Sequence, residues 1–352
     1  MDEIESIEKQ IENTEKNILL IEERISDYIP TDVPLGLIKN ERALRARLIG
    51  LNKRRDNLQK GRDIPPLLLY LVNRRNQYEK FTEAFKILSN NPDPKPLLCI
   101  IHGDQFQCHD TFLESLVKVS LHENIKKYTN ITTKVVKKYH LEWPPRMKNI
   151  EELKNKLEDN LEKEVFYDIS ASKEDINERL SSIGPVIIHT YLNTTDWQQH
   201  KSGIIENFLE FWQNWPKLNP NQYLIICLFI KYQVKQNMGL WKRYKFWSCN
   251  RKIQRSIKDL SLCGFTKFDR IIGVVLPELQ GIMQTEVESW ARSKKVKKYW
   301  GKKNIQYLIH TIQDMFDNWE KEQASDTMPM SYLDQQLTNI LNGKVTIKGD
   351  IS

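Results

Sequence analysis

The chain has 352 residues, of which 40% are hydrophobic and 28% are charged, and its net charge is +7. This composition is that of a folded protein and excludes an intrinsically disordered chain. No apolar run is long enough to span a bilayer, and the acidic start of the chain argues against a secretory signal. The five cysteines include no CxxC pair, so we expect neither a zinc site nor a disulfide framework. We therefore expect the protein to be cytoplasmic.

Residues 1–61 are predicted to form a hairpin of two helices. Apolar residues recur at alternating spacings of three and four along residues 1–29, which indicates one helix with a single apolar seam. Pro30 and Pro34 end this helix, because each proline disfavours helical geometry in the residue before it. A second seam, built of leucines, predicts another helix over residues 37–60.

The charges of the two predicted helices are sorted by sign. Residues 1–29 carry nine acids and three bases, and residues 37–60 carry eight bases and two acids. An exposed ion pair contributes only about 0.2–1 kcal/mol, so the apolar seam dominates stability and the charges select partner and register. We interpret the hairpin as a docking module for a protein partner, including a second copy of the chain. The alternative is a spacer hairpin without a partner.

The remainder of the chain is predicted to be an α/β domain over residues 62–341, followed by a flexible tail over residues 342–352. Short runs of apolar, often β-branched residues predict strands at 97–101, 186–192, 223–230 and 271–276. Predicted helices separate them at 111–119, 150–164, 203–215 and 284–297. Fully apolar strands that alternate with helices indicate a mostly parallel sheet covered on both faces, a three-layer α/β fold. Together with a degenerate phosphate-binding loop at residues 103–110, this arrangement resembles a P-loop NTPase.

A degenerate phosphate-binding loop follows the first predicted strand. A P-loop has the pattern GxxxxGK[ST] between a strand and a helix. Counted from Gly103, the second glycine position holds Cys108, the lysine position holds His109 and the hydroxyl position holds Asp110. A neutral imidazole and a repelling carboxylate cannot replace these groups, so we expect no bound cofactor and no catalysis. Asp110 is predicted instead to cap its own helix.

The residue types of the same loop are also those used in zinc binding and in nucleophilic catalysis. His102, Cys108, His109 and Asp110 are residue types that bind zinc, and adjacent Cys108 and His109 could suggest a nucleophile with its base. A loop remnant explains the same residues more simply. The strand at 186–192 also lacks the terminal acid that an ATPase uses for its magnesium shell, since the nearest acid is Asp196.

Three weak motifs, taken together, resemble the inactive members of the STAND family, the signal-transduction ATPases with numerous domains. In the first, Asn73, Arg74 and Gln77 stand for the glycine, arginine and acid of a "Gly–Arg–x–x–Glu" lead-in. The second is the degenerate loop. The third is Leu276-Pro277-Glu278-Leu279 with the following Glu286 and Trp290, which is similar to a "leucine–Pro–Leu … Glu–x–x–x–Trp" element.

This resemblance spans residues 64–300 and implies a function. Such proteins are regulatory or adaptor components, or sensors, of bacterial signalling and defence systems, including defence against phage. It implies a domain without nucleotide hydrolysis, so that the chain is not an enzyme.

Two basic segments that contain aromatic residues leave an alternative function open. Residues 235–258 and 294–303 interleave bases with tryptophan, tyrosine and phenylalanine, a pattern that single-strand binders use. The possible patch in the first segment comprises Lys242, Arg243, Lys245, Arg251, Lys252 and Arg255. The alternative function is a nucleic-acid-binding module, and the simpler explanation is a solvated helix face.

Overall fold

A computed structural model describes residues 3–28, 34–60, 72, 74–129, 135–144, 150–166, 171–200, 203–234, 240–301 and 304–341. The chain forms two compact units, residues 1–66 and 67–352. The predicted boundary at residues 61 and 62, the predicted tail 342–352 and the motif residue Asn73 lie outside the described residues.

The first unit contains helices α1 (Glu3–Ser26) and α2 (Leu35–Lys60), which pack against each other. The predicted seam of α1 is buried at Ile7, Ile11, Thr14, Ile18 and Ile21. The described leucine side chains of α2, Leu37, Leu44, Leu48 and Leu51, are only half-buried. Arg45 of α2 forms ion pairs with Glu22 of α1 and, one turn away, with Glu41. Both the apolar seam and the sorted charges therefore contribute to the contact between the two helices.

The second unit is built around a parallel five-stranded sheet in the order β2-β3-β4-β1-β5. Its strands are β1 (Leu97–Asp104), β2 (Lys137–His140), β3 (Val186–Asn193), β4 (Leu224–Tyr232) and β5 (Ile272–Val275). Four of them confirm the predicted strands. β2 was missed because its residues are polar: it is an exposed edge strand without the apolar pattern on which the prediction depended.

Helices cover both faces of the sheet. Along the chain these are α3 (Arg75–Asn90), α4 (His109–Ser115), a π-helical segment (Leu116–Leu121), α5 (His122–Tyr128), α6 (Ile150–Phe166), α7 (Lys173–Ile183), α8 (Thr194–His200), α9 (Ile204–Gln213) and α10 (Leu240–Cys263). Successive residues of β1 point to opposite faces, so Leu98 and Ile100 pack on α9, whereas Leu97 and Ile101 pack on α3 and α4. The three-layer α/β architecture is thus confirmed.

A helical segment follows β5. It comprises a short antiparallel pair of strands, β6 (Ile282–Met283) and β7 (Thr327–Met328), with helices α11 (Gln284–Ala291), α12 (Lys294–Trp300), α13 (Ile305–Gln323) and α14 (Met330–Leu341). The single helix predicted at 284–297 is wrong, because Ser293 ends one helix and caps the next by accepting the Val296 N–H at 3.3 Å. Among the described residues, no helix is both long and apolar enough to cross a membrane.

Candidate functional site

The candidate site is the loop between β1 and α4, residues 105–108. β1 lies between β4 and β5, so the strands that follow it in sequence lie on both of its sides. In open parallel sheets, ligands bind beyond the carboxyl ends of the strands, where the strand order reverses. The degenerate loop therefore occupies the place at which this architecture would bind a ligand.

Asp104, the last residue of β1, fills the loop with its own carboxylate. One carboxylate oxygen accepts the backbone N–H of Phe106 and the other accepts the side-chain amide of Gln107, each at 2.8 Å. The backbone N–H of Gln107 donates to the Asp104 carbonyl oxygen at 3.2 Å. A P-loop offers such N–H groups to phosphate, whereas here the Asp104 carboxylate satisfies the Phe106 N–H and the Asp104 carbonyl oxygen satisfies the Gln107 N–H.

His109, at the lysine position, points back into the loop. Its Nε2 lies 2.9 Å from the Asp104 carbonyl oxygen, which can only accept, so Nε2 carries the proton. Burial lowers the pKa of His109 to about 4, and the residue is only 2% exposed. The position that would bring a cation to a phosphate thus holds a neutral imidazole bonded to its own backbone.

Cys108, at the second glycine position, keeps the backbone conformation of a glycine. Its φ is +50°, in the left-handed region that non-glycine residues rarely adopt. Burial raises the pKa of its thiol to about 11, with a further contribution from Asp334. A thiol that stays protonated at neutral pH is a poor nucleophile, and the Nε2 of His109 is already engaged. The geometry gives no support to a Cys–His catalytic pair.

The capping role predicted for Asp110 is wrong. The helix begins at His109, so Cys108 is the N-cap residue and makes no side-chain cap, while Asp110 lies within the first turn. The Asp110 carboxylate instead lies 3.6 Å from the ammonium group of Lys231 on β4. Burial would raise the pKa of Asp110, but a hydrogen bond from Tyr191 and the charge of Lys231 outweigh it, so the pKa lies below its ordinary value.

Gly103 is required by packing within the protein. A Cβ at this position would lie 2.6 Å from the carbonyl oxygen of Leu279. The backbone N–H of Leu279 donates to the backbone carbonyl oxygen of His102 at 2.8 Å. The segment after β5 therefore lies directly on the end of β1. The glycine shared with a P-loop here allows two backbones to approach each other.

The three motifs that resemble the STAND family meet at this place. Arg74 is buried and donates to the Gln280 carbonyl oxygen at 3.0 Å and to the side-chain oxygen of Gln107 at 3.2 Å. Gln77 donates to the carbonyl oxygens of Pro277 and Glu278 at 3.3 and 3.1 Å. Burial lowers the pKa of Arg74, although nearby groups, Tyr78 first among them, oppose the shift. The lead-in residues thus tie the loop to the segment after β5.

The other predicted residues have structural partners or lie outside the description. The Nδ1 of His102 shares a 2.8 Å hydrogen bond with the Tyr232 hydroxyl. Burial lowers the pKa of His102 to about 4. Asp196 accepts the backbone N–H of Asn193 at 2.9 Å, which caps α8. Within the described part of the chain, no cluster of three or more His, Cys, Asp or Glu side chains is arranged to hold a metal ion.

The basic patch predicted on residues 242–255 is only partly described. It lies on α10, and the side chains of Lys242, Arg243 and Lys245 fall outside the description. The side chains of Arg251, Lys252 and Arg255 are exposed.

A shallow cleft beside α4 was missed by sequence reasoning, because its floor includes the unpredicted strand β2. His140 of β2 stacks on His189 of β3 with ring centroids 5.0 Å apart. Burial, with the nearby His140 and Lys138, lowers the pKa of His189 to about 4. The cleft is completed by residues that include Asp110, Glu114, Lys138 and Tyr191. Its imidazoles and side chains of mixed charge give no complete catalytic or metal-binding set.

Comparisons with known proteins agree with the resemblance. The sequence model of the inactive STAND family matches residues 69–230, which include the lead-in and the degenerate loop. No curated protein matches the chain.

Similar solved structures include Cdc6p from Pyrobaculum aerophilum (11% identity, TM-score 0.29) and ORC2 from Aeropyrum pernix with ADPNP and ADP (12%, 0.32). A third is Drosophila ORC bound to GC-rich DNA and Cdc6 (6% identity, TM-score 0.30). The match to Cdc6p covers 65% of this chain and 48% of Cdc6p, and the match to ORC2 covers 73% of this chain and 66% of ORC2. The match to the Drosophila structure covers 70% of this chain and 39% of that chain.

Proposed function

Because the sequence model of the inactive STAND family matches residues 69–230, we propose that this protein is a non-catalytic regulator or adaptor of a bacterial signalling or defence system. In this proposal the domain works in the cytoplasm as a structural relay. It transmits a signal by changing its contacts with other proteins, and nucleotide turnover plays no part.

The observation that carries this proposal is the internal closure of the loop. The Asp104 carboxylate, the Gln107 amide and the His109 imidazole occupy the space and the hydrogen-bonding groups that a nucleotide phosphate would need. A phosphate entering this loop would have to displace a carboxylate, and the lysine position of the motif would present it with His109 instead. Like charges in a buried loop repel strongly, so binding is disfavoured before any contact with a base or sugar.

The closed loop serves instead as an internal joint. Its residues contact Arg74 before α3 and also α14, whose Ser331 N–H donates to the Phe106 carbonyl oxygen at 2.9 Å, and Arg74 in turn donates to Gln280 in the segment after β5. We infer that the domain has kept the ATPase architecture because this joint holds the helical segment 284–341 on the sheet. A regulator needs such a joint where an ATPase needs a nucleotide.

The hairpin is the proposed docking module. Its acidic α1 and basic α2 are complementary, and exposed Leu19 and Leu20 on α1 leave apolar surface for a partner. The partner that this pattern fits best is a second copy of the chain, whose α2 would face α1 with opposite charge. The half-buried leucines of α2 would be covered in the same step.

Absence of nucleotide binding is tested by melting the full chain with ATP or ADP and magnesium. A ligand at one hundred times its Kd would raise stability by about 2.7 kcal/mol, and we expect no shift. A saturable rise in melting temperature would contradict the proposal. So would magnesium-dependent phosphate release that is lost in His109→Ala and kept in Lys86→Ala, which alters an exposed lysine on α3.

Docking is tested by light scattering of the full chain over a range of concentrations at low salt. We expect association that weakens when Arg42, Arg45 and Arg47 are changed to Glu. A control that makes the same change of charge at exposed Lys86, Lys126 and Lys321 should associate like the wild type. A chain that stays monomeric at all concentrations, or that loses association equally in both variants, would contradict the charge-steered pairing.

A further inference from the structure

The helical segment after β5 carries an unbalanced positive charge. Between Glu288 and Asp314 the sequence contains seven lysines and arginines and no acid. Such a stretch creates a local positive potential that its own neighbours in sequence do not cancel. Four of these bases, all lysines, lie in the seven residues of α12.

The structure places the lysines of α12 on one side of the helix. Val296 is fully buried at 0% exposure, whereas Lys294, Lys295 and Lys298 are exposed. At 100° per residue, these three lysines fall within an arc of about 100° that lies opposite Val296. They form the lysine face. Among the residues that the structure describes, none of the three pairs with a carboxylate, whereas the nearby Arg292 is held by Glu288 at 3.1 Å.

Aromatic residues follow the lysine face in sequence. Tyr299 and Trp300, at the end of α12, are half-buried, and Tyr307 in the first turn of α13 is 52% exposed. Asn304, the residue before α13, donates its side-chain amide to the carbonyl oxygen of Trp300, the last residue of α12, at 3.2 Å. The exposed ring of Tyr307 and the ammonium groups of the lysine face therefore all lie within residues 294–307.

We propose that α12 and the first turn of α13 bind single-stranded nucleic acid, with the lysine face on the phosphates and Tyr307 stacked on a base. Lys294 and Lys298 are one turn, about 6 Å, apart along the helix axis, which is close to the spacing of successive phosphates in an extended strand. Stacking on an aromatic ring tolerates any base, so the expected binding has little sequence preference.

Two other polyanions fit the surface less well. A bilayer surface requires an amphipathic helix with a free apolar side, and the only aliphatic side chain of α12, Val296, is used by the protein's own core. An acidic protein surface is best recognised by arginines that grip carboxylates with two bonds, whereas this face consists of lysines, which bind phosphate as point charges. The inference goes beyond the proposed regulatory role and does not depend on the closed loop.

The test is the fluorescence anisotropy of a labelled oligothymidylate with the full chain at several salt concentrations. We expect saturable binding that falls with salt. Changing Lys294, Lys295 and Lys298 together to Gln should weaken it at least tenfold at low salt and lower the slope against log salt by about two, since each single-strand phosphate contributes about 0.7. The control, Lys86, Lys126 and Lys321 to Gln, removes equal charge elsewhere and should bind like the wild type.

Tyr307 separates stacking from charge. Tyr307→Ala should weaken binding about tenfold with the salt slope unchanged, and Tyr307→Phe should restore it because the ring remains. The inference is wrong if the wild type does not bind at low salt, or if the α12 and control triple variants lose binding equally. It is also wrong if poly-glutamate or vesicles of anionic lipid compete better than unlabelled oligonucleotide at equal charge, which would assign the surface to a protein or a membrane.

Discussion

Removing the Asp104 carboxylate should open the loop, and the structure sets the size of the effect. Asp104→Ala deletes two hydrogen bonds to a carboxylate, each 2.8 Å long. Phe106 is half-buried, so water can replace the carboxylate as the acceptor of its backbone N–H. Gln107 is only 2% exposed, so its side-chain amide loses its acceptor and water cannot replace it. A buried donor without a partner costs about 1–3 kcal/mol. With the lost bonds included, we expect a loss of about 2–4 kcal/mol in the free energy of unfolding.

Urea denaturation at neutral pH measures this loss, provided that the slopes of the two transitions agree. Asp104→Asn should lie between the wild type and Asp104→Ala, because its side-chain oxygen still accepts the Phe106 N–H while its amide faces the amide of Gln107. The control is Asp110→Ala, whose side chain is 73% exposed and pairs only with Lys231 among described ions, so its loss should stay under about 1 kcal/mol.

An external anion gives a second readout. If Asp104 acts as the internal anion, phosphate or sulfate should raise the stability of Asp104→Ala more than that of the wild type, relative to chloride at equal ionic strength. A loss of less than about 0.5 kcal/mol in Asp104→Ala, within the range of ordinary surface changes, would refute the argument that the carboxylate closes the loop.

Three further predictions concern the loop and the hairpin. Cys108→Gly should stabilise the protein by about 0.5–1 kcal/mol, because glycine accepts the positive φ without strain, and an unchanged urea midpoint would contradict this. The folded-state pKa of His109, about 4, lies below its unfolded value of 6.5, so the unfolded state binds more protons between these values and stability falls as pH drops below about 6.5. His109→Gln should reduce the loss of unfolding free energy between pH 7 and pH 5 by about 1–2 kcal/mol. Equal pH profiles for the variant and the wild type would contradict this role of His109. Arg45→Glu should lower the melting temperature of the hairpin at low salt, and adding Glu22→Arg should recover part of it; no recovery would mean that this interhelical pair has no role.

The fold class was readable from the sequence because its signals are local. Each central strand is a short apolar run, since a strand buried on both faces must be apolar throughout. The seam of α1 was readable for the same reason, because residues three and four apart share a face. Strand β2 escaped because an exposed edge strand of Lys-Lys-Tyr-His carries no such pattern.

The loop shows the limit of this reasoning. The sequence alone showed that the groups of a P-loop are missing at Cys108, His109 and Asp110, since each position is a matter of residue type. It predicted that the Asp110 carboxylate caps the helix after the loop, whereas in the structure the carboxylate that bonds to the loop is that of Asp104. The direction of a carboxylate depends on where the helix begins and on which cations lie across the sheet. Both are set by the tertiary fold.

Long-range contacts were decided entirely by the tertiary structure. Gln77 and Pro277 are 200 positions apart in sequence, and Arg74 and Gln280 are 206 apart. No local sequence pattern predicts these contacts, because a glutamine or arginine that will be buried cannot be told in the sequence from one on the surface. Their contacts arise when the sheet brings β5 beside β1, so that the loop, the lead-in and the segment after β5 share one buried set of hydrogen bonds.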